Sequence, residues 1–159
     1  MKRFATLVVG LTIISAAMAS AAMASTTSVR MTFAEPSGPS GDCPAADFPN
    51  GGFCGSGIVL PYGHATETIE FGAGCGGDCD LRTVTLTDGS ILMEEHASGF
   101  FECERCHNEN GGPFGAALTD VVIGGTGSFE GATGTLSGTV EGTGHRAQVQ
   151  LSGTISVSS

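Results

Sequence analysis

The chain has 159 residues, six basic against 16 acidic side chains, a net charge of −10 at pH 7, 26 Gly, six Cys and no Trp. So acidic a chain argues against nucleic acid and anionic membrane surfaces as partners, since both repel a polyanion. The Gly residues follow no collagen period, and no window beyond Ser25 sustains a 3.6-residue apolar repeat, which leaves an all-β reading.

Residues 1–24 read as a cleaved signal peptide. Lys2 and Arg3 precede an apolar run, and Ala22-Met23-Ala24 has the small-x-small pattern of a cleavage site. The run is short and Ala-rich for a membrane span. Cleavage after Ala24 leaves 25–159 as a single domain, carries away Lys2 and Arg3, and takes the net charge to −12. The expectation is a secreted protein, periplasmic if the source is a two-membrane bacterium, with no membrane contact after cleavage.

The first strand is expected near Val29–Phe33. A Pro/Gly/Cys-rich loop over 35–57 follows, with Cys43 and Cys54 as its tie. Ile58–Tyr62 reads as a short strand broken by Pro61. In His64–Phe71, Ala65, Glu67, Ile69 and Phe71 share one face; in Leu81–Thr87, Arg82, Val84 and Leu86 do. Asp88-Gly89 signals a two-residue type I′ hairpin, with Thr87 opposite Ser90 and the run from Ser90 to Phe101 returning as its partner. Phe114–Gly124 and Thr133–Gly142 are further strands. Ala147–Val157 has the cleanest period of two. Eight strands with short turns remove their edges best by closing into an antiparallel barrel, and Gly99, Gly134, Gly138 and Gly153 suit its tight curvature. A two-sheet sandwich is the alternative.

Two groups of residues carry chemistry. Six cysteines in an exported chain read first as disulfides. The hairpin register puts Cys75 opposite residue 102, so Cys75, Cys79, Cys103 and Cys106 gather at one end of the ribbon, paired within each couple or across strands. Cys43 and Cys54 remain for each other. The same end allows two cofactor readings: a zinc site of C-x3-C plus C-x2-C with His107 in reserve, and c-type haem at Cys103-x-x-Cys106-His107 with Met93, His96 or His64 as distal ligand. The disulfide reading implies neither zinc nor haem. The second group is Glu67 and Arg82, each on the apolar parity of its strand. Pointing inward, they must pair, and they would anchor a ligand in the barrel; near strand ends, they would reach solvent instead. No catalytic set is recognisable among the histidines, and no catalytic residue is assigned.

The segment Val121–Val140, "VVIGGTGSFEGATGTLSGTV", resembles the C-terminal signature of the allene oxide cyclase and dirigent barrels, a calycin-like group. The resemblance lies in the glycines Gly124, Gly125, Gly127 and Gly131 around Phe129, with Ala132 following. Phe129 is expected to fold under the turn and plug a barrel end. More loosely, the stretch from Phe53 to Leu92 is similar to small exported bacterial proteins of this barrel type. The resemblance implies an apolar barrel cavity holding a small apolar ligand. It also implies, as an alternative to plain binding, an isomerase or cyclase activity. None of the family's catalytic residues aligns with this chain.

Overall fold

The computed structural model describes residues 24–36, 49–102, 113–143 and 146–158. Eight strands run in chain order: β1 (Ala24–Pro36), β2 (Gly52–Leu60), β3 (Gly63–Gly74), β4 (Cys79–Leu86), β5 (Gly89–Glu102), β6 (Phe114–Gly127), β7 (Thr133–Thr143) and β8 (Arg146–Ser158). Each pairs antiparallel with the next, and β1 returns to pair with β8 from Ala24↔Ser158 to Pro36↔Arg146, closing the barrel. Closure leaves no free sheet edge for another chain to add to.

The period of two decides which residues fill the interior. Met31 and Phe33, Val84, Ile91 and Met93, and Leu151 and Ile155 are buried on alternate positions of their strands. Their neighbours Thr32, Thr85, Gln150 and Thr154 face out. Gly138 and Gly153 lie where β7 and β8 run too close for a side chain: a Cβ would stand 1.7 Å from the Gln150 carbonyl oxygen and 2.1 Å from that of Thr135.

The two ends of the barrel differ. One is closed by short connections: Pro61–Tyr62, Thr87–Asp88 and Ser128–Ala132. Here the glycine-flanked turn after β6 folds Phe129 beneath itself, 3% exposed, with Tyr62 edge-on at 5.0 Å between ring centroids. Burying that ring contributes roughly 2–3 kcal/mol. The backbone fixes it: the Phe129 N–H donates to the Thr126 carbonyl, and the Phe129 carbonyl accepts from the Ala132 N–H at 3.0 Å. Gly125 makes this possible, because a Cβ there would meet the Ser90 oxygen at 2.3 Å and the Phe129 Cβ at 2.8 Å. Gly125→Ala is therefore expected to lower stability by about 2 kcal/mol, read as a reduced urea midpoint at unchanged slope. An unchanged midpoint would show that the plug is not set by this contact.

Three sequence expectations are corrected. The β4–β5 register is Thr85↔Ser90 and Leu86↔Gly89, so the turn is Thr87–Asp88, one residue earlier than expected, and the partner of Ser90 moves by two residues, from Thr87 to Thr85. Neither turn residue has positive φ, so the turn is not type I′. Gly89 serves a different need: a Cβ there would lie 2.0 Å from the Thr126 oxygen on β6. A shift of two leaves every side chain on its face, so Arg82 stays inward. Next, the segment 35–57 is not all loop. Its ends belong to β1 and β2, because Gly52–Gly57 ladder to β3 and Gly57 lets Phe33 and Thr32 pass. Finally, Pro61 lies in the turn after β2 and does not break the strand.

Candidate binding cavity

Away from the closed end the interior is not filled. A cavity of about 390 Å³ opens beside Phe100, with walls from Phe53, Ile69, Phe71, Phe114, Leu118 and Val149. Phe53 and Phe71 meet edge-on at 5.2 Å, and Phe100 stacks on Phe114 at 6.3 Å. Phe100 is 64% exposed, the most exposed large apolar side chain among the described residues. The barrel is thus packed solid in one half and hollow in the other.

The floor of the cavity is ionic. Arg82, 1% exposed, is the centre of a cluster built from five strands: Glu35 of β1, Glu67 of β3, Glu95 of β5 and Asp120 of β6 surround it. Register brings them together. Ile69 is opposite Arg82, which sets Glu67 on its diagonal; Asp80 is opposite Glu95, which sets Glu95 on the other; Asp120 is directly opposite Glu95. Arg82 donates from Nη1 to Glu67 Oε2, from Nη2 to Glu95 Oε2, and from Nε to Glu95 Oε2 at 2.8 Å. Asp120 Oδ2 is 3.1 Å from Nε, an ionic contact without hydrogen-bond alignment, because the Nε hydrogen points to Glu95. Glu35 Oε1 is 3.8 Å from Nη1.

One guanidinium cannot satisfy four carboxylates. Glu35 Oε1, Glu67 Oε1 and both oxygens of Asp120 receive no hydrogen bond from an amide, hydroxyl or guanidinium. Such atoms are costly when buried. Protonation is the remedy. Loss of hydration pushes Glu67 up to about 8 and Asp120 up to about 7, against the opposing pull of Arg82. Burial raises Glu35 too. Glu35 and Glu67 titrate against each other, and the negative charge of Glu35 adds to the rise of Glu67. Gly55, opposite Glu67, leaves the room: a Cβ there would lie 2.6 Å from Glu67 Oε1 and 3.1 Å from the Glu35 Cγ.

Glu67 and Arg82, the two residues singled out by parity, are both inward, buried and paired. Arg82 lines the cavity, together with Glu35, Asp80 and Glu95, whereas Glu67 does not. Glu35, Glu95 and Asp120 were not anticipated. A signal for each was present: Glu35 continues the apolar parity of Met31 and Phe33, Glu95 that of Ile91 and Met93, and Asp120 lies between Leu118 and Val122.

The described cysteines, Cys54, Cys75 and Cys79, lie at the open end of the barrel. Cys75 and Cys79 form a disulfide across the β3–β4 connection, and Cys54 near the start of β2 is also disulfide-bonded. The expectations for Cys43, Cys103, Cys106 and His107 lie outside the described residues, as does that for residues 1–23. His96 Nε2 lies 3.5 Å from Cys75 Sγ. In the disulfide these two sulfurs are not the thiolates that zinc needs. Met93, one of the residues considered as a haem ligand, is fully buried in the core.

No protein-family model matches the sequence, and no curated protein or solved structure is significantly similar to it.

Proposed function

We propose that this is an exported, disulfide-tied barrel that binds a small, mainly apolar molecule in its open half without transforming it. The supporting observation is the 390 Å³ cavity, walled by aromatic and aliphatic side chains with a few convergent polar groups at its floor. Concave, largely apolar sites of this size, with few fixed polar groups, suit small ligands. The disulfides fit an oxidising compartment, and the readings of residues 1–24 as a signal peptide and of the product as secreted belong to the same proposal. The resemblance of Val121–Val140 to allene oxide cyclase and dirigent barrels agrees with a ligand cavity.

The test uses the neutral fluorescent probe N-phenyl-1-naphthylamine. Saturable enhancement with one site per chain is expected. Ala97→Trp, at the mouth, should weaken binding at least tenfold with little change in melting temperature, since Ala97 is exposed and outside the packed half. No enhancement by the parent protein would end this reading.

An isomerase or cyclase is the second reading. It is favoured by the Glu35 carboxyl, raised by burial and set at the floor of an apolar space. Stereoselective ring closure of an unsaturated epoxide, lost in Glu35→Gln, would support it. Racemic product at the uncatalysed rate would exclude it.

A further inference from the structure

Arg82 at the floor of an apolar cavity looks at first like a receptor for a carboxylate. Its donors tell against that. Nε, Nη1 and Nη2 are each engaged with Glu67 or Glu95, and Asp120 crowds Nε at 3.1 Å. What the floor has in surplus is acceptors. A guanidinium offers five N–H groups, whereas four carboxylates offer eight oxygens, each with two lone pairs. Among the groups lining the cavity, three are carboxylates (Glu35, Asp80 and Glu95) and one is a cation. Asp80 is occupied in accepting the Gly72 N–H at 2.8 Å. Glu35 is 98% buried, lines the cavity, and has an Oε1 with no amide, hydroxyl or guanidinium donor.

From this we infer that the cavity takes a primary ammonium carried on an apolar body, an alkyl- or arylalkylamine, with its N–H groups directed at Glu35 and Glu95. The inference deepens the binding function proposed above and rests on it. An ammonium brings three donors and one positive charge to a floor short of both. Its body lies against Ile69, Leu118 and Val149. Phe53, Phe71 and Phe114 present further aromatic surface along its path, where ring faces attract a cation.

The charged and titratable groups around this floor come from β1 (Glu35), β3 (Glu67), β4 (Asp80 and Arg82), β5 (Glu95) and β6 (Asp120). The parts of β2, β7 and β8 that reach the cavity are Phe53, Val140 and Val149, which carry no charge. Burial raises Glu67 and Asp120, which favours protons on them in the free protein and offsets part of this surplus. An incoming ammonium does the same work, so its binding should expel protons.

The experiment measures binding of octylamine, 1-octanol and octanoate to the native protein at pH 7.5, by calorimetry and by displacement of the naphthylamine probe. The three ligands share a chain and differ in head group. Octylamine is expected to bind at least tenfold tighter than octanol, with octanoate weakest. Its apparent enthalpy should differ between phosphate and Tris buffers by an amount that reports net proton release. In Glu35→Gln the octylamine-to-octanol ratio should fall to threefold or less. Because that ratio is taken within one protein, it is insensitive to any loss of stability. Octanol binding as tightly as octylamine, or octanoate binding tightest, would overturn the inference and leave the cavity's binding function standing. Failure of the probe and all three ligands to bind would overturn both. Tight octylamine binding with no buffer dependence would refute neutralisation of the floor as its cause.

Discussion

Replacing Arg82 by Met is expected to destabilise the protein by about 3–5 kcal/mol at pH 7.5, the usual consequence of removing one partner from a buried ionic group. The reason is the company it keeps. Glu35, Glu67, Glu95 and Asp120 are all at most 7% exposed, and Arg82 is the cation at their centre. Without it, each must either ionise unpaired or take up a proton. In acid the second route opens, so the loss should shrink to about 1 kcal/mol at pH 4.5, where neutral carboxyls can donate to one another. Met keeps much of the side-chain volume, which separates charge from packing. Urea midpoints of the parent and Arg82→Met at pH 4.5 and 7.5 are the measurement. An equal loss at both pH values would mean that Arg82 matters by filling space and not by its charge.

The parent protein should itself be an acid-stable barrel that weakens on the alkaline side. Glu67 is raised from 4.5 to about 8 and Asp120 from 3.8 to about 7. Between the ordinary carboxylate range and these values the folded chain holds more protons than the unfolded one. Stability then falls as pH rises, by about 1.4 kcal/mol per pH unit for each extra proton held. The contribution is fully present below about pH 4 and is lost as pH passes through about 7 and then 8. Burial raises Glu35 in the same direction. Between pH 5.5 and 8.5, above the range where exposed carboxylates titrate, the melting temperature should drop by about 10 °C. Glu67→Gln should flatten this dependence, because its amide can donate to Glu35 and its carbonyl can accept from Arg82 without a titrating proton. At pH 8.5 this variant should melt above the parent. A parent profile that is flat or rises over this range would show that the cluster is ionised in the folded state.

The two expectations share one cause. The barrel buries more acid than base, and it does so next to empty space. A charged group deep in a packed core would serve stability poorly, since an apolar replacement usually does as well. Here Glu35, Arg82 and Glu95 line the floor of a cavity, where they can meet a ligand. That placement connects the fold's energetics to the amine selectivity inferred above: the surplus acceptors that cost stability at high pH are the ones an ammonium would satisfy.

All eight strands could be read from the sequence, because alternation of apolar and polar residues is a local property of the chain. Once Val84 and Leu86 face in, so does Arg82; once Ile69 and Phe71 do, so does Glu67. The same parity pointed inward for Glu35, Glu95 and Asp120. Singly, though, isolated acidic residues on an apolar face, one of them within a Pro/Gly-rich run, carry no pattern of their own. The position of Phe129 was legible too, since the glycines around it demand a tight turn with something beneath it. What local pattern could not decide was which strand lies beside which and at what offset. The β4–β5 register turned on Gly89, used for close approach to β6 and not for the hairpin turn. The gathering of five charges from five strands depends on such offsets summed around a closed barrel. The division of the interior into a packed half and a hollow half depends on side-chain volumes set against its girth. The sequence by itself settled the faces, because a period of two needs only near neighbours. The tertiary structure decided the meeting of Glu35, Glu67, Arg82, Glu95 and Asp120, because register and closure join residues far apart in the chain.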